Sequence, residues 1–301
     1  MSSFASLKRL QVLDQVHLHS AVPTDFRSVA QVIGTIQPDE IYNLSAQSSV
    51  GLSFDQPVET LNSILLGTVN IMEAIRFLGL ETRFYNASSS ECFGNTDNGP
   101  ADERHAFHPR SPYGVGKAAA YWAVANYRES YNLFACSGIL FNHESPLRPA
   151  RFVTQKIIRG AAMISERKAS VLTLGSLHVV RDWGWAPEYV DAMWRMLNHH
   201  QPEDFVIATG KSHSLEEFVQ RAFACFGLDW RNHVEIDERV MRPADIALSI
   251  GNPEKANAVL AWKASQTMDT VIEKLVQAEL ERLHMEKELS GIGRAPVLTL
   301  C

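Results

Sequence analysis

Short runs of β-branched and other apolar residues alternate along this chain with longer stretches whose apolar positions recur every three or four residues. That alternation is the pattern of a parallel α/β sheet covered by helices. Gln15–Ser20 reads as a strand, Asp25–Gly34 as a helix and Glu40–Ala46 as a second strand. The clearest helix is Val58–Leu78, where Leu61, Ile64, Leu65, Met72, Ile75 and Leu78 form one stripe to lie on a sheet. Thr82–Ala87 follows as a strand, Pro112–Tyr131 as a long helix and Phe134–Phe141 as a buried strand.

After His143–Pro149 the texture changes. A helix (Arg151–Ile164), a short strand (Val171–Leu174), an aromatic turn (Arg181–Trp185) and a helix (Pro187–Asn198) precede one more buried strand, Asp204–Thr209. Met268–Glu288 reads as a charged amphipathic helix packed on its own domain, and the last dozen residues as a loose terminus. The expected organisation is a sheet domain over 1–148. A smaller region over 149–301 would then return strand 204–209 to the main sheet.

Composition narrows the function classes. The 301 residues are 46% hydrophobic, 9% aromatic and 21% charged, an ordinary globular balance. A net charge of -6, with no basic stripe, points away from nucleic acid and anionic membranes, so a few placed cations would have to hold any anionic ligand. No apolar run approaches a membrane span, and MSSFASLKRL lacks the apolar segment of a secretory signal. The cysteines Cys92, Cys136, Cys225 and Cys301 are widely spread, as in a reduced, cytoplasmic protein. His105 with His108, and His199 with His200, have no completing ligands, so no metal is expected. Trp183 and Trp185 read as core and pocket wall.

Two pairs of residues carry the candidate chemistry. Tyr113 and Lys117, in SPYGVGK, stand one helical turn apart on one face. An ammonium so placed favours a phenolate and makes tyrosine usable as a base, although such a pair also occurs on ordinary surface helices. Ser89 and Glu91, in NASSSECFG, lie two apart at a strand end and are expected to face the same side. The hydroxyl suits a substrate oxygen and the carboxylate a proton on carbon. A polar strand exit with no chemistry is the competing account.

Together Ser89, Tyr113 and Lys117 resemble the triad of extended short-chain dehydrogenase/reductases, with a Rossmann-like doubly wound parallel sheet. YNLSAQSSVGLSF, SPYGVGKAAAYW, NYRESY, GILFNHESP, RDWGWAPEYV, QPEDFVIATG and RPAD narrow the resemblance to the GDP-mannose 4,6-dehydratases, roughly from Val12 to Trp262. The resemblance implies dehydration of GDP-mannose to the 4-keto-6-deoxy sugar nucleotide. Tyr113 would take the 4-hydroxyl proton, Ser89 hold that oxygen, and Glu91 remove the C5 proton and help expel the 6-hydroxyl. Lys117 would bind the cofactor ribose and lower the Tyr113 pKa. The family commonly has threonine where Ser89 stands. Leu44, Ser45, Ala46, Gln47, Ser48, Tyr113, Lys117, His143 and Arg148 match cofactor-contacting positions. Ser89, Glu91, Asn142, Lys156, Arg181, Arg242 and Asp245 match the sugar-nucleotide side. The implied cofactor is NADP, with NAD also admitted. The implied partners are a GDP-sugar and further copies of the chain, as a homodimer or homotetramer joined through Val58–Leu78 and Pro112–Tyr131.

One part of the pattern is missing. A Rossmann sheet opens with a strand, a glycine-rich turn and a helix holding the pyrophosphate. Here the first glycine is Gly34, inside a predicted helix, and about one βαβ unit, roughly 30 residues, is absent from an N-terminally truncated sheet. Basic residues that would select NADP are also missing, and Val22–Pro23 replaces the family's usual Asp-Leu pair. A chain that starts late relative to the whole protein is the favoured account. An inactive homologue that works only as a subunit is the second, and a related nucleotide-sugar epimerase or reductase is a third.

Overall fold

The computed structural model describes residues 4–289. The expected loose terminus lies outside these residues. The strands are β1 (Glu40–Asn43), β2 (Arg83–Ser89), β3 (Ala135–Leu140), β4 (Asn142–Glu144), β5 (Leu172–Leu174), β6 (Val180–Trp185), β7 (Phe205–Ile207), β8 (Ser212–Ser214) and β9 (Val234–Ile236). The helices are α1 (Ala5–Arg9), α2 (Phe26–Ile36), α3 (Val50–Asp55), α4 (Pro57–Leu61), α5 (Gly67–Phe77), α6 (Pro112–Tyr131), α7 (Val153–Ser165), α8 (Ala186–Leu197), α9 (Leu215–Ala224), α10 (Glu254–Val259) and α11 (Met268–Leu289).

Four parallel strands make the main sheet in the order β1-β2-β3-β7. Their apolar runs are covered on both sides, as parallel sheets require. Met72, Ile75, Phe84 and Val124 fill one side, and Tyr85, Leu140, Tyr189, Met193, Phe205 and Trp262 the other. Residues beyond 148 therefore enter the sheet core through α8, β7 and the segment ending at Trp262. A second core joins Ile157 and Ile158 of α7 to Phe218 and Phe223 of α9, Val271 and Leu275 of α11, and Trp183 of β6. Ser89 stands at the carboxyl end of β2, the end at which ligands of such sheets bind.

Several elements differ from the expectations drawn from pattern. Gln15–Ser20 is not a strand: one 3-10 turn, Leu13–Gln15, leads into irregular chain with Val16 and Leu18 exposed. No described strand lies beside it to take its backbone groups, so apolar alternation alone does not make it one. Nor does any described strand pair with the outer edge of β1. Arg181–Trp185, expected as a turn, is β6, which pairs with β4 on one side and β8 on the other. Val58–Leu78 is helical throughout but holds a π turn, Asn62–Leu66, between α4 and α5. There Ile64 packs on α6 at Gly116, where a Cβ would lie 3.2 Å from its side chain. Among the described residues no helix is long and apolar enough to cross a membrane.

Candidate active site

β2 ends on Ser89, two residues later than its apolar run indicates, and a 3-10 turn, Ser90–Cys92, follows at once. The Ser89 hydroxyl caps that turn by accepting from the Glu91 N–H at 3.3 Å. Glu91 is therefore placed by a turn, not by strand alternation as its spacing from Ser89 had indicated. The start of α6 is seated against it. Ser111 caps the helix by accepting from the Gly114 N–H at 3.0 Å, with Pro112 in its first turn. Gly114 permits the contact: a Cβ there would stand 2.8 Å from the Glu91 carbonyl oxygen. This close approach brings the Tyr113 phenol near enough to Ser89 for the hydroxyl to act on its proton affinity. One turn on, the buried Lys117 ammonium donates to the Ala87 carbonyl at 2.6 Å and lies 5.8 Å from the centre of the Tyr113 ring. Ser89, Glu91, Tyr113 and Lys117 thus share one cleft.

The electrostatics of the cleft are set mainly by burial. Desolvation holds the Tyr113 phenol well above its ordinary value, with Glu91 and Cys92 adding to the rise and the Ser89 hydroxyl and Arg148 opposing it. Burial lowers Lys117 to about 8, and its ammonium is committed to a backbone carbonyl. In the protein alone, burial outweighs any lowering of Tyr113 by Lys117. Burial also raises the Glu91 carboxyl, while Arg242 and Arg181 pull it down and Asp245 pushes it up.

Three charged residues predicted for the substrate side form one cluster on Glu91. Asp245 Oδ1 accepts from Arg181 Nη2 and from Arg242 Nη1, both at 3.1 Å. The same Arg242 nitrogen lies 3.9 Å from Glu91 Oε1. Arg181 comes from β6 and is only 7% exposed, with its other nitrogen donating to the Val180 carbonyl. Asn142 opens β4, opposite Trp183. Lys156 stands apart, donating to the Thr173 carbonyl at 2.6 Å and making no hydrogen bond or ion pair with the cluster among the described residues.

Leu44–Ser48 leaves the end of β1 as irregular chain with a bend at Ala46. Ala46 has φ 99°, a conformation that side chains rarely adopt. Ser45 donates to the Asn43 side chain at 2.6 Å, and Gln47 donates to the Ser49 carbonyl at 2.8 Å and the Thr60 hydroxyl at 3.1 Å. His143 stacks on Tyr189 at 4.6 Å and is lowered to about 4 by burial, so its ring is neutral near pH 7. Arg148 donates to the His143 carbonyl at 2.7 Å and pairs with the buried Glu144 at 3.3 Å. Their chemistry is compatible with the ribose and nicotinamide end of a dinucleotide: Lys117 uses one of three N–H groups on protein, and Leu44, Ser45 and Ser48 are exposed at the strand end. No glycine-rich turn at a helix N-terminus accompanies them among the described residues.

Pattern reading missed the residues that hold the cleft together. Asn95 Oδ1 accepts from the Ala247 N–H at 2.7 Å, and Thr96 Oγ1 from the Ile250 N–H at 3.0 Å. The loop that carries Glu91 therefore clamps the segment that follows Asp245. Gly94, at φ 70°, makes the turn and sits tightly against the His108 carbonyl. Asp182 accepts from the Thr209 N–H, the Thr209 hydroxyl and the Gly210 N–H, tying β6 to the end of β7. A ladder of Asn43, Asn86 and Ser137 crosses three strands at matched register, at 3.3 and 3.4 Å. The only sequence signal for these is a polar residue inside an apolar run.

Comparison with known proteins agrees with this geometry. A family model described as GDP-mannose 4,6 dehydratase matches residues 1–275. GDP-mannose 4,6 dehydratase 2 of Arabidopsis thaliana is 45% identical over 280 residues, spanning 92% of this chain and 75% of that relative. GDP-mannose 4,6 dehydratase of Homo sapiens is 42% identical over 283 residues, spanning 88% and 76%. Among solved structures, RMD from Pseudomonas aeruginosa complexed with NADPH superposes with a TM-score of 0.80 at 23% identity, over 91% of this chain and 95% of that one. dTDP-glucose 4,6-dehydratase from Bacillus anthracis in complex with NAD gives 0.78 at 19% identity, over 91% and 84%. These two likenesses concern the fold, whereas the family model and the sequence relatives reach the family itself. This chain belongs to the GDP-mannose 4,6-dehydratase family.

Proposed function

We propose that this protein converts GDP-mannose to GDP-4-keto-6-deoxymannose, with NADP or NAD as a recycled cofactor. The observation that carries the reading is a carboxylate in the oxidation cleft. Glu91 lies in the turn capped by Ser89, and its charge acts on Tyr113. An enzyme that only inverted or reduced C4 would need no such group.

When bound, the nicotinamide cofactor supplies oxidation at C4 of the hexose and reduction at C6. Tyr113 takes the proton of the 4-hydroxyl, and Ser89 holds that oxygen in line. The resulting ketone acidifies the C5 proton, which Glu91 removes. Glu91 then delivers a proton to the departing 6-hydroxyl, which leaves as water. A carboxyl raised by burial is suited to both taking and returning a proton near neutral pH. Lys117, His143, Arg148 and the Leu44–Ser48 segment form the cofactor side. Arg181 and Arg242 bind the diphosphate, where bidentate guanidinium geometry fits. Asn142 and Asp245 border the sugar nucleotide. Lys156 reaches it only by releasing Thr173.

Full-length chain incubated with GDP-mannose and NADP should yield a 4-keto-6-deoxy product by NMR with no net change in cofactor. Consumption of NADPH in proportion to product would make it a reductase, and accumulation of a 4-epimer an epimerase. Turnover that required an added intact homologue would make it a subunit only.

We further infer a homodimer or homotetramer built on the paired helices α4–α5 and α6. Val58 is 71% exposed and Trp122 63% exposed, with Leu66 and Val115 also open, a run of apolar surface that a second copy would cover. The cytoplasm suits the buried thiols of Cys92 and Cys136.

A further inference from the structure

Arg242 Nη1 is shared between two carboxylates, 3.1 Å from Asp245 and 3.9 Å from Glu91. Asp245 holds Arg181 with the same oxygen atom and is itself fixed by the Ile246 N–H at 2.9 Å. Two guanidiniums are thus gathered around one small anion, and one of them also reaches the base. A diphosphate, with more negative charge and more acceptor atoms than a carboxylate, competes for both guanidiniums.

We propose that Arg242 is the positioning residue of Glu91 and couples it to the diphosphate seat, so that an arriving diphosphate draws Arg242 away and frees the carboxylate for the sugar. The inference rests on the reading of Arg181 and Arg242 as the diphosphate ligands. The groups that face Glu91 are Arg242 and Asp245 from the segment before Ile246, Arg181 from β6, Tyr113 from α6 and Cys92 in its own turn. Of these, only the two arginines favour its ionised form, and both are the groups that the diphosphate neutralises. The carboxylate therefore becomes more basic when the seat fills, and the protein takes up a proton. Without substrate, Glu91 stays held as an ion pair, which keeps a strong base from acting in an empty cleft.

The probe is the β-methyl ester of GDP, which has no oxygen titrating near neutral pH and no hexose to react. Its binding to the full chain is measured by calorimetry in buffers of different ionisation enthalpy. Net proton uptake is expected on the acid side of neutrality, fading at higher pH where Glu91 is ionised with and without ligand. Glu91→Gln should abolish the uptake, Arg242→Gln should reduce it to about a third or less, and Arg242→Lys should retain most of it. In Arg242→Gln the acid limb of kcat/KM, which reports the free protein, should move up, and that of kcat by less. Uptake unchanged in Glu91→Gln or Arg242→Gln, with the ester still bound, overturns the coupling alone. Failure of the ester to bind overturns the diphosphate seat and the coupling together.

Discussion

A carboxyl group that must first accept a proton from carbon and then give it to a departing hydroxyl needs a proton affinity between the two events. Burial raises Glu91, which sits in the Ser90–Cys92 turn, in the direction that the proposed role needs. Glu91→Gln keeps the shape and one acceptor but removes the base. It should lower dehydration by about 100- to 10,000-fold while GDP binding is retained or tightened, because Arg242 is no longer held by a carboxylate at that position. Equal loss of binding and turnover would instead mark the carboxylate as structural. Tyr113→Phe removes the proton acceptor for C4 oxidation and should stop the reaction before any deuterium from solvent enters C5. Exchange at C5 in that variant would show that oxidation proceeds without the phenol. The shared helical face of Tyr113 and Lys117 was legible from their spacing, because a helical turn fixes which side chains stack. The lysine's commitment to the Ala87 carbonyl was not legible, since it depends on a strand thirty residues earlier in the chain.

Among the elements, the first turn of α6 and the turn after β2 behave as one unit. Helix propensity alone would have Gly114→Ala stabilise by about 0.5–1 kcal/mol. The added Cβ meets the Glu91 carbonyl at 2.8 Å and Pro109 at 3.1 Å, and backbone cannot swing aside as a long side chain can. Overpacking of this kind costs about 1–3 kcal/mol, so the variant should unfold at lower urea and lose turnover as Glu91 is pushed from Tyr113. Asp182 makes a separate case. Burial raises its carboxyl to about 6 against a reference value of 3.8, despite its hydrogen bonds to Thr209 and Gly210. The folded state thus favours the protonated form, and this contribution to stability is present below about pH 4 and is lost as pH rises through 6. Urea unfolding from pH 4 to 7 should show wild type losing about 2–3 kcal/mol relative to Asp182→Asn, which cannot titrate. Parallel pH profiles for the two proteins would refute this assignment. Neither contact was visible in the chain order, because each joins segments with no periodic relation.

At the scale of the assembled protein, the exposed faces of α4 and α6 set the quaternary expectation. Trp122→Glu should shift the protein towards monomer in sedimentation velocity while leaving its circular dichroism unchanged, and an unaltered sedimentation coefficient would move the interface elsewhere. The apolar runs that form the main sheet and the Tyr–Lys helix could be read from the chain, because periodicity is a local property of backbone geometry, whereas α9 and the short strands β4, β8 and β9 were not read from it. Pattern reading went astray at Gln15–Ser20 and Arg181–Trp185. A strand is defined by its neighbour: the first segment has no partner beside it, whereas the second has β4 and β8. The resemblance put Arg181, Asp245, Arg242 and Glu91 on one side, but the ion pairs that join them were decided by folding. The four residues come from β6, two loop positions and a 3-10 turn, and charges so distant along the chain acquire a joint effect only when packing removes the water between them.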